Sequence, residues 1–251
     1  MATYSGISAF ASHRILDFVL GRNSFIVPAN YLIALSTTPL GENGTNLTEP
    51  TDPVYTRILL PNDLTSFSSP IGRIVDIIRE YLHAPSSQDW GSVTHFCLVD
   101  SGAIGAGNVW FYGELQEPIW VEIESSPWLR AGDNSLMLDI CGGSSGAMSI
   151  STVAANQILS HMFSRNPVLV PPENWYMGVS STPMNSEGIG FSEPTGGGYA
   201  RVQIENSKTS FTNASNKTVS LATEFRFPTS TTPWGFYIKA PYSSNVIRQT
   251  T

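Results

Sequence analysis

The chain repeats itself, and that repeat limits its architecture more than any other feature of the sequence. Ala34-Leu35-Ser36-Thr37-Thr38-Pro39 has a counterpart in Gly178-Val179-Ser180-Ser181-Thr182-Pro183, with the two prolines 144 residues apart. At the same offset Glu49-Pro50 pairs with Glu193-Pro194, Tyr55-Thr56-Arg57 with Tyr199-Ala200-Arg201, Thr65-Ser66-Phe67 with Thr209-Ser210-Phe211, and Trp90-Gly91 with Trp234-Gly235. Upstream, Ile15-Leu16 and Arg22-Asn23 match Ile158-Leu159 and Arg165-Asn166 at 143, which a one-residue indel before Pro172 explains. One shared dipeptide carries no weight, but seven matches in register are a duplication, and each copy must then repeat one supersecondary plan.

The composition says what that plan is made of. Charged residues are 13 % of the 251, against about 25 % in an average domain, and Gly, Pro, Ser, Thr and Asn fill the gap. Long solvated helices need Lys and Glu; short strands joined by tight loops need turn residues. The expected class is all-β: two tandem β-sandwich-like domains, each preceded by a short helix, the second truncated. The boundaries read as an N-terminal arm 1–11, a first copy 12–148 and a second, shortened copy 149–251.

In the first copy Ser12 is the expected helix N-cap, with Ile15, Leu16, Phe18 and Val19 as its apolar face and Gly21 as its stop. In the second, Ser151 or Thr152 caps, and Ile158, Leu159, Met162 and Phe163 form the face. Strands follow at Tyr31–Ser36 and Trp175–Ser180. The segment 71–82 reads passably as a helix, but its counterpart alternates through Val219, Leu221, Thr223, Phe225 and Phe227, so both are assigned as strands. Val93–Asp100 is the next strand, followed by a Gly-rich loop at 101–108. The strands expected from Val109–Tyr112, Ile119–Glu124 and Ser135–Cys141 have no counterpart in the second copy, because only 16 residues follow Gly235. A sandwich missing strands exposes a sheet edge, which a neighbour's Met1–Ala11 or Val246–Thr251 is expected to cover.

Several function classes fall away. A net charge of −7 with 13 Lys and Arg leaves no basic stripe for nucleic acid. No apolar stretch approaches the ~20 residues of a membrane span, so no membrane insertion is expected, and Met1–Phe10 does not read as a signal peptide. Cys97 and Cys141 sit in apolar strand-like runs and read as small buried residues of a protein made in a reducing cytosol. The four sequons, at Asn43, Asn46, Asn213 and Asn216, read as polar loop residues. His13, His83, His95 and His161 show no metal-ligand spacing, His13 and His161 reading as surface or boundary residues. Gly142-Gly143-Ser144-Ser145-Gly146 reads as a linker between the copies, not a nucleophile elbow. The loop from Gly102 to Gly107 leads into a strand and so offers no helix N-terminus to a phosphate. No catalytic residue, cofactor or metal is expected.

The residues that remain are the repeat landmarks. Glu49, Tyr55 and Arg57 recur as Glu193, Tyr199 and Arg201, and they read as a charge-assisted bond that ties a long hairpin loop to a strand. Trp90-Gly91 and Trp234-Gly235 read as an aromatic anchor beside a tight turn. The order of these landmarks, with Tyr31–Pro39, Gly41-Glu42-Asn43-Gly44 and Trp90–Asp100, resembles the tail-fibre-like accessory structural proteins of tailed bacteriophages. That resemblance implies a virion component made in the bacterial cytoplasm, without enzyme activity, in contact with copies of itself and other virion proteins. It leaves a tail or fibre-attachment role and a capsid-decoration role open. A carbohydrate-binding receptor module is a further alternative, with Trp110, Tyr112, Trp120 and Trp128 stacking on a host surface glycan. A hydrolase would need two carboxylates brought together from Asp100, Asp133, Asp139, Glu114, Glu117, Glu122 and Glu124.

Overall fold

The structure, a computed structural model, describes residues 2–21, 23–41, 44–131, 135–137, 150–163, 169–185 and 187–235. In chain order these hold β1 (Ala2–Ile7), α1 (Ala9–Val19), β2 (Asn30–Ser36), β3 (Ile58–Pro61), β4 (Ile74–Asp76), β5 (Tyr81–Leu82), β6 (Gly91–Val99), β7 (Val109–Val121), β8 (Trp128–Leu129) and β9 (Ser135–Met137). Then come α2 (Thr152–Met162), β10 (Asn174–Met177) and β11 (Val202–Glu205). The protein is all-β apart from these two helices, and its sheets are antiparallel.

The chain divides into two compact units, and neither is a continuous stretch. The first takes Met1–Ile15, Phe25–Asp139 and Asn156–Leu169; the second takes Leu16–Ser24, Ile140–Ala155 and Val170–Thr251.

The first unit is built on a five-stranded sheet in the order β1-β7-β6-β2-β3. Both faces of its centre are covered, which is why β2 is nearly continuous in apolar residues. One face carries Tyr31, Ile33, Phe96, Leu98 and Phe111, all essentially inaccessible. The opposite face carries Ala34, Cys97, Val99 and Val109, closed over by Leu40 and Leu47 of the loop that follows β2. Burial pushes the Cys97 thiol up to about 12, so it stays protonated and packs as a small apolar group. The two-stranded ladders β4-β9 and β5-β8 complete the unit.

Four expectations need correction. Strand β1 lies within the segment read as an arm for a neighbour, yet it pairs with β7 of its own chain, from Ala2 opposite Leu115 to Ile7 opposite Phe111; the segment Val246–Thr251 lies outside the described residues. Helix α1 starts earlier than read: the cap is Ser8, whose hydroxyl accepts from the Ala11 amide at 3.0 Å, while Ser12 is a buried residue of the first turns. In α2 the cap is Ser151, which accepts from the Ala154 amide at 3.2 Å. The strands expected at 109–112 and 119–124 are one long strand, β7, bent by register shifts rather than broken. Finally, His161 is buried in α2, with its ring 5.4 Å from that of Phe25. The strand expected at 135–141 is described only over Ser135–Met137, and Cys141 and the Gly142–Gly146 linker lie outside the described residues.

The segment 71–82 is not helical, and the reason is local. Gly72 and Arg73 both take positive φ, 59° and 71°, and Ile71 and Ile74 exchange both backbone hydrogen bonds across them. That is a type I′ hairpin turn, which opens β4 and excludes a helix. In the second unit Asn216 and Lys217, at φ 47° and 57°, make the same turn between Ser215 and Thr218. Beyond it, Leu221 bridges to Phe211, as Ile77 bridges to Phe67 in the first. Among the described residues the second unit has one regular ladder, β10-β11, which matches β2-β3.

Candidate functional site

The landmark residues come together in each unit, in one arrangement. In the first, Glu49 Oε1 accepts from the Tyr55 hydroxyl at 3.1 Å and from Arg57 Nε at 2.8 Å, and Oε2 accepts from Arg57 Nη2 at 2.6 Å. The Tyr55 oxygen in turn accepts from the Leu35 amide of β2 at 3.0 Å. In the second unit Glu193 accepts from Tyr199 at 2.6 Å and from Arg201 Nε and Nη2 at 2.8 and 2.7 Å, while the Val179 amide donates to Tyr199 at 3.1 Å. The neighbouring hydroxyls agree as well: Ser36 donates to the Thr38 carbonyl at 2.8 Å, and Ser180 to the Thr182 carbonyl at 2.7 Å. Every one of these pairs obeys the 144-residue offset.

The sequence explains the shape. Each glutamate precedes its arginine by eight positions, enough for the loop to turn after Glu-Pro and bring the arginine to the position just before the next strand, β3 or β11. The planar guanidinium then meets the carboxylate edge to edge, a bidentate bond that a lysine could not make.

What surrounds the two clamps differs. In the first, Arg57 Nη1 also donates to the Ser101 and Ala106 carbonyls at 2.6 and 2.8 Å, and the Gly105 amide donates to Glu49 Oε2 at 3.1 Å. The Gly-rich loop between β6 and β7 is thus laced onto the ion pair, whose side chains are 0 % and 3 % exposed. Burial alone would raise the Glu49 carboxyl, but the bonds from Arg57, Gly105 and Tyr55 outweigh it and hold it below the usual carboxylate range. In the second, Arg201 is 52 % exposed and Glu193 25 %, and the Arg201 guanidinium lies 5.7 Å from the Phe191 ring centroid. Hydrogen bonds from Arg201 and then Tyr199 bring the Glu193 carboxyl down to about 2.

An aromatic triangle backs each clamp. Trp90 meets Tyr55 edge-on at 5.3 Å and 88°, and Trp234 meets Tyr199 at the same distance and angle. The third member is His83 in the first unit and Phe227 in the second, each stacked on its tyrosine at 5.7 and 6.2 Å. Burial drives the His83 imidazole down to about 4 against an opposing backbone bond at Thr56, so it is a neutral ring filling a phenylalanine's place. Gly91 takes φ +75°, a region an L-residue enters only with strain, whereas Gly235 does not take positive φ.

Two further groups escaped sequence reasoning. Asp52 accepts from Trp90 Nε1 at 2.7 Å and from the Ser87 amide and hydroxyl at 2.7 and 2.5 Å, bonds that overcome its desolvation and keep its carboxyl well below the usual range. Its counterpart is Gly196, and Trp234 donates instead to the Gly197 carbonyl at 3.2 Å, so comparing copies hides Asp52. Asn62 and Asn206 share the 144-residue offset but stand among unlike neighbours, which hides them for the opposite reason. Each bonds two carbonyls: Asn62 those of Pro28 and Met162, Asn206 those of Pro172 and Val19.

The sugar platform read from Trp110 and Tyr112 is not formed. Trp110 is 3 % exposed, packed edge-on against Phe10 at 5.3 Å and Tyr31 at 5.9 Å, with its Nε1 donating to Asp100. Val99 pairs with Val109 but Leu98 pairs with Phe111, so a bulge at Trp110 breaks the alternation. Trp120 and Trp128 are exposed, the latter beneath Arg130. Among the described residues no group of three or more His, Cys, Asp or Glu side chains is gathered to hold a metal ion, and no helix is long and apolar enough to cross a membrane.

No curated protein matches the chain. A family model does, in two tandem segments, residues 6–136 and 149–240, which are the two copies of the repeat. The chain belongs to the family of the podophage GP4 fiber I protein gp80, and it is a component of a phage virion.

Proposed function

We propose that this protein is a non-catalytic tail or fibre-attachment component of the virion, working through contacts with copies of itself and with other virion proteins. The observation that carries the reading is the use made of the first clamp. Both carboxylate oxygens of Glu49 and three guanidinium nitrogens of Arg57 bond to groups of the chain itself. A general acid or base has to present a proton site to a substrate; this carboxylate is engaged in bracing two loops on a sheet. Low charge and Ser/Thr-rich loops favour broad polar packing against other subunits. The sandwich-like layering belongs to the same reading: an apolar cleft runs between the sheet and the β5-β8 ladder, lined by Ile33, Leu35, Val121 and Leu129.

The test is immunogold labelling of purified particles with an antibody against this protein, viewed in negative stain. Gold at the tail, its fibres or its collar is the expected result. Gold scattered over the heads would replace this reading with capsid decoration. Intact particles that stay bare, with an antibody proven on the isolated protein, would remove the protein from the particle surface. A receptor role resting on Trp120 and Trp128 predicts binding on a glycan array that Trp120→Ala and Trp128→Ala abolish.

A further inference from the structure

The two asparagines found outside the landmarks disclose how the copies are joined. Asn62, from the first copy, donates its amide at 2.9 Å to the Met162 carbonyl, the last residue of the second copy's helix. Asn206, from the second copy, donates at 3.0 Å to the Val19 carbonyl, the last residue of the first copy's helix. Each therefore satisfies a C-terminal carbonyl that a helix cannot bond internally, and each does so on the helix of the other copy. Their second bonds, to Pro28 and Pro172 at 2.8 Å, are again equivalent by the 144-residue offset.

The packing follows the same crossing. Leu159, Met162 and Phe163 of the second copy are fully buried in the first unit. The Phe163 ring lies 4.5 Å from Phe67, 5.5 Å from Tyr31 and 5.7 Å from Phe111, and the Tyr31 hydroxyl donates to the Met162 carbonyl at 3.2 Å. The middle of α2 is fastened there too, since Asn156 Oδ1 accepts from the Arg73 amide at 2.9 Å. Conversely, α1 begins in the first unit, where the Ser8 amide donates to the Trp110 carbonyl at 3.0 Å, and its last turn belongs to the second. There Gly21 takes φ +65° against the Asn206 backbone carbonyl, where a Cβ would have no room. Without α2, Tyr31, Phe67 and Phe111 would all lose their packing on Phe163.

We propose that the two copies are a reciprocal helix-exchange pair: the C-terminal half of α2 completes the core of the first copy, and the last turn of α1 is held by the second. The face made by Tyr31, Phe67 and Phe111, with Asn62 at its rim, is thus a docking surface for an amphipathic helix from a second copy of the same domain. In this chain the second copy is supplied covalently. The linkage between copies is then dispensable for the fold once it has formed, and the tandem gene product is a fused domain-swapped dimer. This goes beyond a fibre role and stands whichever part of the virion holds the protein.

The test uses the full chain with a specific protease site inserted in the Gly142–Gly146 run. After folding and complete cleavage, the two fragments are expected to co-elute in size-exclusion chromatography with the mass of the uncut chain and to keep slow amide exchange at Phe163. Fragments that elute apart, folded or not, overturn the proposal. Amide exchange on the uncut chain gives a second reading. Asn62→Ala should lower protection in the last turn of α2 about tenfold and spare α1, while Asn206→Ala should do the reverse. Loss confined to the helix of the same copy, or equal loss in both helices, also overturns it.

Discussion

The clamp of the first copy and that of the second use the same three side chains at the same spacing, and their inner hydrogen bonds agree within half an ångström. They differ in what covers them. Ser101, Gly105 and Ala106 roof the first, and its ion pair is dry; the second stands half open to water. Geometry is set by local sequence, but the worth of a charged bond is set by its solvation. A buried ion pair strongly resists the loss of one partner because the survivor is stranded, whereas water replaces the missing partner of an exposed pair.

The comparison is broken most directly at the arginines. Arg57→Ala strands the Glu49 carboxylate and releases the loop at 101–107, and is expected to cost about 3–5 kcal/mol. Urea denaturation at pH 7 followed by tryptophan fluorescence should show the loss as a lowered midpoint. A cost near that of a surface change would mean that the roof is not held by the ion pair.

The next largest effect separates the copies by pH. His83 titrates at about 4 in the folded chain and near 6.5 when unfolded, so between those values the unfolded chain takes up a proton that the folded one refuses. Stability is complete above pH ~6.5 and falls as pH drops toward 4, by about 3 kcal/mol for a shift of this size. Glu49, whose folded pKa is lowered, adds a further loss in the same direction, below the ordinary carboxylate range. His83→Phe copies the residue found at 227 and should make the limb between pH 6.5 and 4.5 shallower, leaving the part that His161, whose imidazole burial also lowers, contributes there. If the slope over that interval is unchanged in His83→Phe, His83 is not a titrating group of that limb.

These contrasts also show what could be read in advance. The offset of 144 predicted which side chains would meet, because a duplicated bond leaves the same letters twice. It was silent where the solutions diverged, as at Asp52, whose counterpart Gly196 has no side chain. The bulge at Trp110 was invisible because an inserted residue changes the facing of a strand without changing its composition. Strand β1 was missed because a short polar run such as Ala2–Ile7 takes its structure from the edge it pairs with, not from its own propensity. The helix exchange leaves no trace in sequence at all: the apolar stripes of α1 and α2 are the same whether each packs on its own sheet or on the other copy's.

The turn glycines give a smaller, sharper test. Gly91 and Gly235 follow the paired tryptophans, but Gly91 alone takes φ +75°, and open space surrounds its Cβ position. Gly91→Ala should therefore cost about 1–2 kcal/mol through backbone strain alone. Gly235→Ala, also with no neighbour to strike, should be neutral. Equal costs at the two sites, measured as thermal midpoints, would mean that the turns are the same and that the contrast in φ does not matter.

The smallest effect is expected at Arg201. Its guanidinium is half exposed, so Arg201→Ala leaves Glu193 accepting from Tyr199 and otherwise hydrated. The carboxyl, now held at about 2 chiefly by the arginine, should move up toward the ordinary glutamate value. Carbon-detected NMR of the side-chain carboxyl would follow that rise directly, while the unfolding midpoint at pH 7 should barely change. Together these readings separate the strength of a bond from its contribution to the fold: Arg201 would perturb its partner's titration and leave stability alone, whereas Arg57 must do both. A large drop in midpoint for Arg201→Ala would show that the second clamp is covered in solution and that its ion pair contributes to the fold as the first one does.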